Sequence, residues 1–341
     1  MAFLFSNCIY NAVFSQTAER EVSATSFTFN VHGEPLKLNH FSSPALDQKN
    51  KKIDRLVIVV HGTNRNPYTY HKNMRIAAEK SGASENTLII SPGFIMERDL
   101  NDNKDLLGNN HIFWTNSGWK QGDTSVNSSV KNKRIQQLSS FEVMDSIIWQ
   151  TLHSGNFPNI KHIVVSGNSA GGQFVNRYIG GNLIHDAVKK KFGIEIKYLV
   201  AAASSYSYQT AERPVLNSPG KYYTPEDTSC NKGFNKYRYG LEDLNEYLSK
   251  TGASKIVSQY GQRKCAYFVG AQDNDINDSQ LDKSCGAMLQ GRERKERIEF
   301  FVGYLHHLYG KKYPLTIVEN SGHDNGKMWS SPEGMKWLFR K

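Results

Sequence analysis

Ser169 lies in "VVSGNSAGG" (164–172), an apolar run that breaks into a serine flanked by glycines. The five residues Gly167-Asn168-Ser169-Ala170-Gly171 fit a G-x-S-x-G pattern. At a sharp strand-to-helix turn, that pattern exposes a serine hydroxyl for nucleophilic attack. The small residues that follow begin a helix, whose N-terminus supplies free backbone N–H groups and a positive dipole. An alcohol needs a base at neutral pH. Of 11 histidines, His323 in "VENSGHDNGKM" follows the last apolar run, where a strand-end loop could reach Ser169. His306 and His307 sit inside a helical pattern, and His153, His162 and His185 flank helices or strands. A carboxylate must orient the imidazole. "VGAQDNDINDSQ" offers Asp273 as first choice and Asp275 as the alternative acid. Its alternating oxygens resemble a calcium loop, but the glycine and distal glutamate of such loops are missing, so no metal site is expected.

An oxyanion formed during acyl transfer needs preorganised N–H donors. Ala170, next after Ser169, supplies one, and Thr63 or Asn64 in "VIVVHGTNRNPYTY" supplies the second. His61 reads as a buried, hydrogen-bonded support for that loop. Arg65 either lines the pocket and meets a substrate anion or anchors the loop.

Alternating elements must position these groups. "SFTFNVHG" and "KLNHFSSP" alternate apolar and polar residues, as in a hairpin. Six Val- and Ile-rich runs follow, at 55–62, 86–94, 162–169, 197–205, 265–273 and 314–324. Such runs suit strands buried on both faces of a parallel sheet. Helix-like stretches at 69–80, 140–153, 171–191 and 287–308 lie between them, which predicts a doubly wound α/β fold. Two long inserts break the rhythm, at about 95–139 with Trp114 and Trp119, and at 204–250 with Tyr206 and Tyr208. Both follow strand ends, so these aromatics are expected to cap an apolar or aryl substrate pocket.

The 341 residues suffice for one such domain over 16–341, and no run approaches the length of a bilayer span. The net charge of +10 is scattered and carries no nucleic-acid motif, so no nucleic-acid partner and no integral membrane segment are expected. Residues 1–15 read either as the remnant of a signal peptide or as a disordered tail. Four cysteines, Cys8, Cys230, Cys265 and Cys285, are too few for a disulfide scaffold. Cys265 opens an apolar run and reads as a buried thiol, while Cys230 and Cys285 have loop-like surroundings.

Together, "HGT", "GNSAG", "GAQD" and "SGHD" in this order resemble the α/β-hydrolase superfamily over roughly residues 26–340. "HGTNRNPYTY" and "SSFEVMD" resemble bacterial esterases of the feruloyl esterase and polyhydroxybutyrate depolymerase-like kind. The resemblance implies a mostly parallel sheet of about eight strands with an aromatic-rich cap. It further implies a cofactor-independent serine hydrolase that cleaves a small or polymeric carboxylic ester through an acyl-enzyme, with a Ser169-His323-Asp273 triad. A secreted or periplasmic location and a Cys230–Cys285 bridge are also implied, with the cytoplasm as the alternative location. A peptidase or amidase on the same fold, and a non-catalytic carbohydrate- or polymer-associated binder, are the competing readings.

Overall fold

The structure, a computed structural model, describes residues 21–127, 136–228 and 232–340. Residues 1–15, Cys8 and Cys230 lie outside them, as does part of the first insert. Among the described residues ten strands form: β1 (Ser26–Val31), β2 (Glu34–Ser43), β3 (Arg55–Val60), β4 (Thr87–Pro92), β5 (His162–Asn168), β6 (Ile196–Ala201), β7 (Arg213–Pro214), β8 (Tyr222–Tyr223), β9 (Lys264–Gly270) and β10 (Leu315–Val318). Eight make one sheet in the order β1-β2-β4-β3-β5-β6-β9-β10, and β7 and β8 pair separately. Only β1–β2 and β2–β4 are antiparallel in the large sheet; the other five pairings are parallel. The six apolar runs are thus the six strands from β3 to β10 that pair in parallel, and the alternating pair is the edge hairpin.

Every residue of β3 is buried, Arg55 included, because helices cover both faces of the sheet centre. The helix Pro67–Lys80 packs against β3 and β4, and the helix Ala170–Gly181 against β5, β6 and β3. The main buried cluster runs from Phe27 to Phe339, and a smaller one joins Val22, Ile95, Leu100, Leu107 and Phe113.

Two expected helices are each divided. The stretch 171–191 ends its first helix at Gly181, because Asn182 turns extended and its Oδ1 accepts the amide of His185, opening a second helix Ile184–Phe192. The stretch 287–308 contains a short turn at Cys285–Met288 and a main helix Arg294–Tyr309. Between them Gly291 takes φ 140°, and the Glu293 carboxylate caps the amides of Lys295 and Glu296.

Both inserts fold back on the core. Trp119 packs 4.6 Å from the His61 ring and stacks on Phe94, with Trp114 edge-on to the same Phe94. Tyr206 stacks on Phe301 at 4.5 Å, and Tyr208 lies against Phe301 and Tyr304. All four expected substrate-binding aromatics are therefore core residues, at most 1% exposed. Ring–ring packing takes the tyrosines out of water against the helix Arg294–Tyr309 and the tryptophans against Phe94.

Candidate active site

Ser169 follows β5 directly and has φ 60° and ψ −121°, a conformation that a non-glycine residue holds only when its surroundings impose it. Here backbone contacts impose it. A Cβ at Gly167 would lie 2.3 Å from the Gly171 carbonyl oxygen, and one at Gly171 would lie 2.1 Å from that of Val60. The glycines two positions either side of Ser169 thus let strand, turn and helix close on one another. The Ser169 amide donates to Ala201 at the end of β6, and its carbonyl accepts from Gln173 as the helix begins.

A cavity of about 200 Å³ opens at this turn. Thr63, Ser169, Ala170, Gln173 and Ser204 line it together with Lys120, Arg177, Arg238 and Asp282. The wall is mostly polar, with three cations and one carboxylate, and the tryptophans and tyrosines expected to line it are packed in the core instead. Thr63 and Ala170 share the cavity with Ser169, whereas the Asn64 side chain accepts from Gln280 at 3.3 Å. Arg65 is bound by Asp99 through Nε at 2.5 Å and Nη2 at 3.0 Å, and donates to the Thr63 carbonyl. It anchors the loop and does not line this cavity.

His61 holds the same loop from below. Its Nε2 accepts the amide of Phe94 at 3.0 Å, which leaves the proton on Nδ1 to donate to the Gly62 carbonyl. Complete burial lowers its pKa to about 4, so it is a neutral structural group.

β9 and β10 deliver the other candidates. Their end loops interlock: the Gln272 amide donates to Ser321, and a Cβ at Gly270 would collide with the Ser321 and Gly322 carbonyls. This brings His323 Nδ1 to 2.7 Å from Asp273 Oδ2. Asp273 is 4% exposed, and its other oxygen meets the buried Arg294 guanidinium at 3.4 Å. Arg294 also binds Asp278 at 2.6 Å. Burial opposes ionisation of Asp278, but the hydrogen bonds from Arg294 and the Gln280 amide hold its pKa below the usual carboxylate value. Asp275 is exposed, and among the described residues its carboxylate accepts only the Asn277 amide within its own turn. His323 Nε2 is buried and has no hydrogen-bond partner among the described residues.

Sequence reasoning did not single out Lys120, Arg177, Arg238, Asp282 or Arg294. A helical signal for one of them existed: Ala170, Gln173 and Arg177 recur at i, i+3 and i+7, one face of a helix. Nothing local in the sequence pairs Arg294 with Asp273. Cys265 is a buried free thiol, and Cys285 is disulfide-bonded. Among the described residues no group of three or more His, Cys, Asp or Glu could hold a metal, and no helix is long and apolar enough to cross a membrane.

No protein-family model and no curated protein sequence matches the chain. Among solved structures it is similar to poly(aspartic acid) hydrolase-1 from Sphingomonas sp. KT-1, at 22% identity and a TM-score of 0.58 over 92% of this chain and 97% of that one. It is also similar to LpqC, a poly(3-hydroxybutyrate) depolymerase from Bordetella parapertussis, at 16% identity and a TM-score of 0.57 over 92% and 89%. With its 1-2-4-3-5-6-9-10 sheet and the serine turn after β5, the chain has the α/β-hydrolase fold.

Proposed function

We propose that the protein is a serine hydrolase that cleaves a carboxylic ester through an acyl-enzyme. The observation that carries this reading is the His323–Asp273 contact, which leaves His323 Nε2 buried and, among the described residues, without a hydrogen-bond partner, on the loop after β10 of the sheet whose β5 ends at Ser169. In this reading Ser169 Oγ attacks the acyl carbon while His323 Nε2 takes its proton. The imidazolium returns that proton to the departing alcohol. Water then attacks the acyl-enzyme with the same base, releasing the acid and restoring the serine. Asp273 holds the Nδ1–H tautomer and stabilises the imidazolium. The amides of Ala170 and Thr63, which share the cavity with Ser169, are the proposed oxyanion donors.

Amide cleavage on the same triad is the second reading, favoured by the likeness to a protein named for hydrolysis of poly(aspartic acid). The disulfide at Cys285 supports an oxidising compartment, in keeping with export. A fluorophosphonate probe tests the nucleophile. Mass spectrometry is expected to find the phosphonyl group on Ser169 of the folded protein and none on Ser169→Ala. An unlabelled Ser169 in folded protein would overturn the reading, and release of 4-nitrophenol from short esters against an anilide analogue separates ester from amide.

A further inference from the structure

Arg177 lies two turns along the helix that Ser169 opens, on the face that carries Ala170 and Gln173. It is 3% exposed, yet among the described residues no carboxylate lies within 4 Å of it. Nη1 donates to the Lys120 carbonyl at 3.0 Å and Nη2 to Ser205 Oγ at 3.3 Å, while the buried Nε has no partner. Lys120 lines the same cavity, and its ammonium has neither a hydrogen bond nor an ion pair among the described residues. Arg238 adds a third positive charge, held over the Tyr239 ring and bonded to its hydroxyl.

The opposing charge in the cavity, Asp282, is already engaged. Its oxygens accept from Tyr239, from Ser284 Oγ and from the Ser284 amide. Asp123, which accepts from Asn245, also acts on Arg177 and Arg238, so three cations face two carboxylates and positive charge is left over. Keeping more cations than carboxylates away from water is costly, and an entering anion would offset that cost. The cavity of about 200 Å³ gives room for a short substrate segment with its anion. Ala170 and Arg177 are about 10 Å apart along the helix axis. A helical side chain leans toward the helix N-terminus, so the guanidinium comes closer to Ser169 than that.

We propose that this cationic end of the cavity is a subsite for a carboxylate carried by the substrate. The ester cleaved at Ser169 is then a short one bearing a second, anionic carboxyl group within a few bonds of the scissile carbonyl. The planar guanidinium of Arg177 suits the two oxygens of a carboxylate, with Lys120 and Arg238 as point charges around it. The inference deepens the serine-hydrolase reading and rests on it for the cleavage step, but not for binding.

The test has two parts. Rates are compared for 4-nitrophenyl hemiglutarate and 4-nitrophenyl valerate, and for 3-acetoxybutyrate and its methyl ester, corrected for uncatalysed hydrolysis. Wild-type protein is expected to favour the anionic member of at least one pair by roughly 10-fold or more in kcat/KM. That ratio is expected to fall by roughly 10- to 100-fold in Lys120→Met and Arg177→Met, and less in Arg177→Lys. Separately, glutarate binding to Ser169→Ala is measured by calorimetry, and Lys120→Met in that background is expected to weaken it by roughly 10-fold. If Arg177→Met does not fold, Lys120→Met and Arg238→Gln carry the comparison. Labelled, active protein that favours both neutral esters and binds no glutarate overturns the subsite. Glutarate binding that depends on Lys120, without labelling or hydrolysis, keeps the subsite and overturns the serine reading.

Discussion

Arg294 and Arg177 are buried to nearly the same degree, at 1% and 3% exposure, but in opposite surroundings. Arg294 sits between two carboxylates, Asp273 and Asp278, and the first of these also holds His323. Among the described residues Arg177 donates hydrogen bonds only to a carbonyl and a hydroxyl, with the Lys120 ammonium beside it making none, and a cavity in front. Charges closed on one another fix a geometry. Charges left open await something from outside. The first arrangement suits a group that must keep an imidazole in one orientation, and the second a surface that must recognise an anion.

The largest effect is expected where the closed cluster meets the proposed chemistry. Asp273→Asn should lower kcat by roughly 10⁴-fold, by offering the imidazole the wrong partner. Asp275→Asn, which touches only its own turn, should leave the rate within about twofold. Equal losses from both would break the assignment. Next comes Arg294→Met, which removes one partner from two carboxylates. It should destabilise the protein by about 3 kcal/mol in urea unfolding at pH 7, since an uncompensated buried charge remains. A neutral result would show that Asp273 is held by His323 alone.

The smallest effect has the opposite sign. Burial and the neighbouring Arg177 lower the Lys120 pKa from its ordinary 10.5 to about 8. Folding therefore disfavours the charged amine, and the penalty is fully present below pH 8. It fades as pH rises from about 8 towards 10.5, where the unfolded chain still holds the proton and the folded one does not. Lys120→Met should accordingly stabilise the protein by about 1–2 kcal/mol at pH 7, with the gain gone near pH 10.5. The preference of wild-type protein for anionic esters should weaken as pH rises through about 8. Stabilisation together with loss of that preference would mark Lys120 as a residue kept for binding at a cost in stability.

Much of the architecture was legible in the sequence, because each of its signals is local. Runs such as "RLVIVV" and "HIVVSGN" mark strands buried on both faces, and Gly167 and Gly171 mark a backbone that must pass close to another. Where the aromatics of the inserts would pack was not legible, for an equally physical reason. Aromatic content says that a segment will bury surface, but not against what, and Trp119 and Tyr206 found His61, Phe94 and Phe301 before they could reach a pocket.

By itself the sequence determined the order of strands and helices, the turn that presents Ser169, and the residue types available for base and acid. Patterning and glycine placement act within a few residues, so they can be read along the chain. Only the tertiary structure decided that Asp273 rather than Asp275 meets His323, that Arg65 is tied to Asp99, and that Lys120 and Arg177 are left facing the cavity. Those outcomes depend on which distant loops interlock and on which charges find partners when water is expelled, and neither is written in any one stretch of the chain.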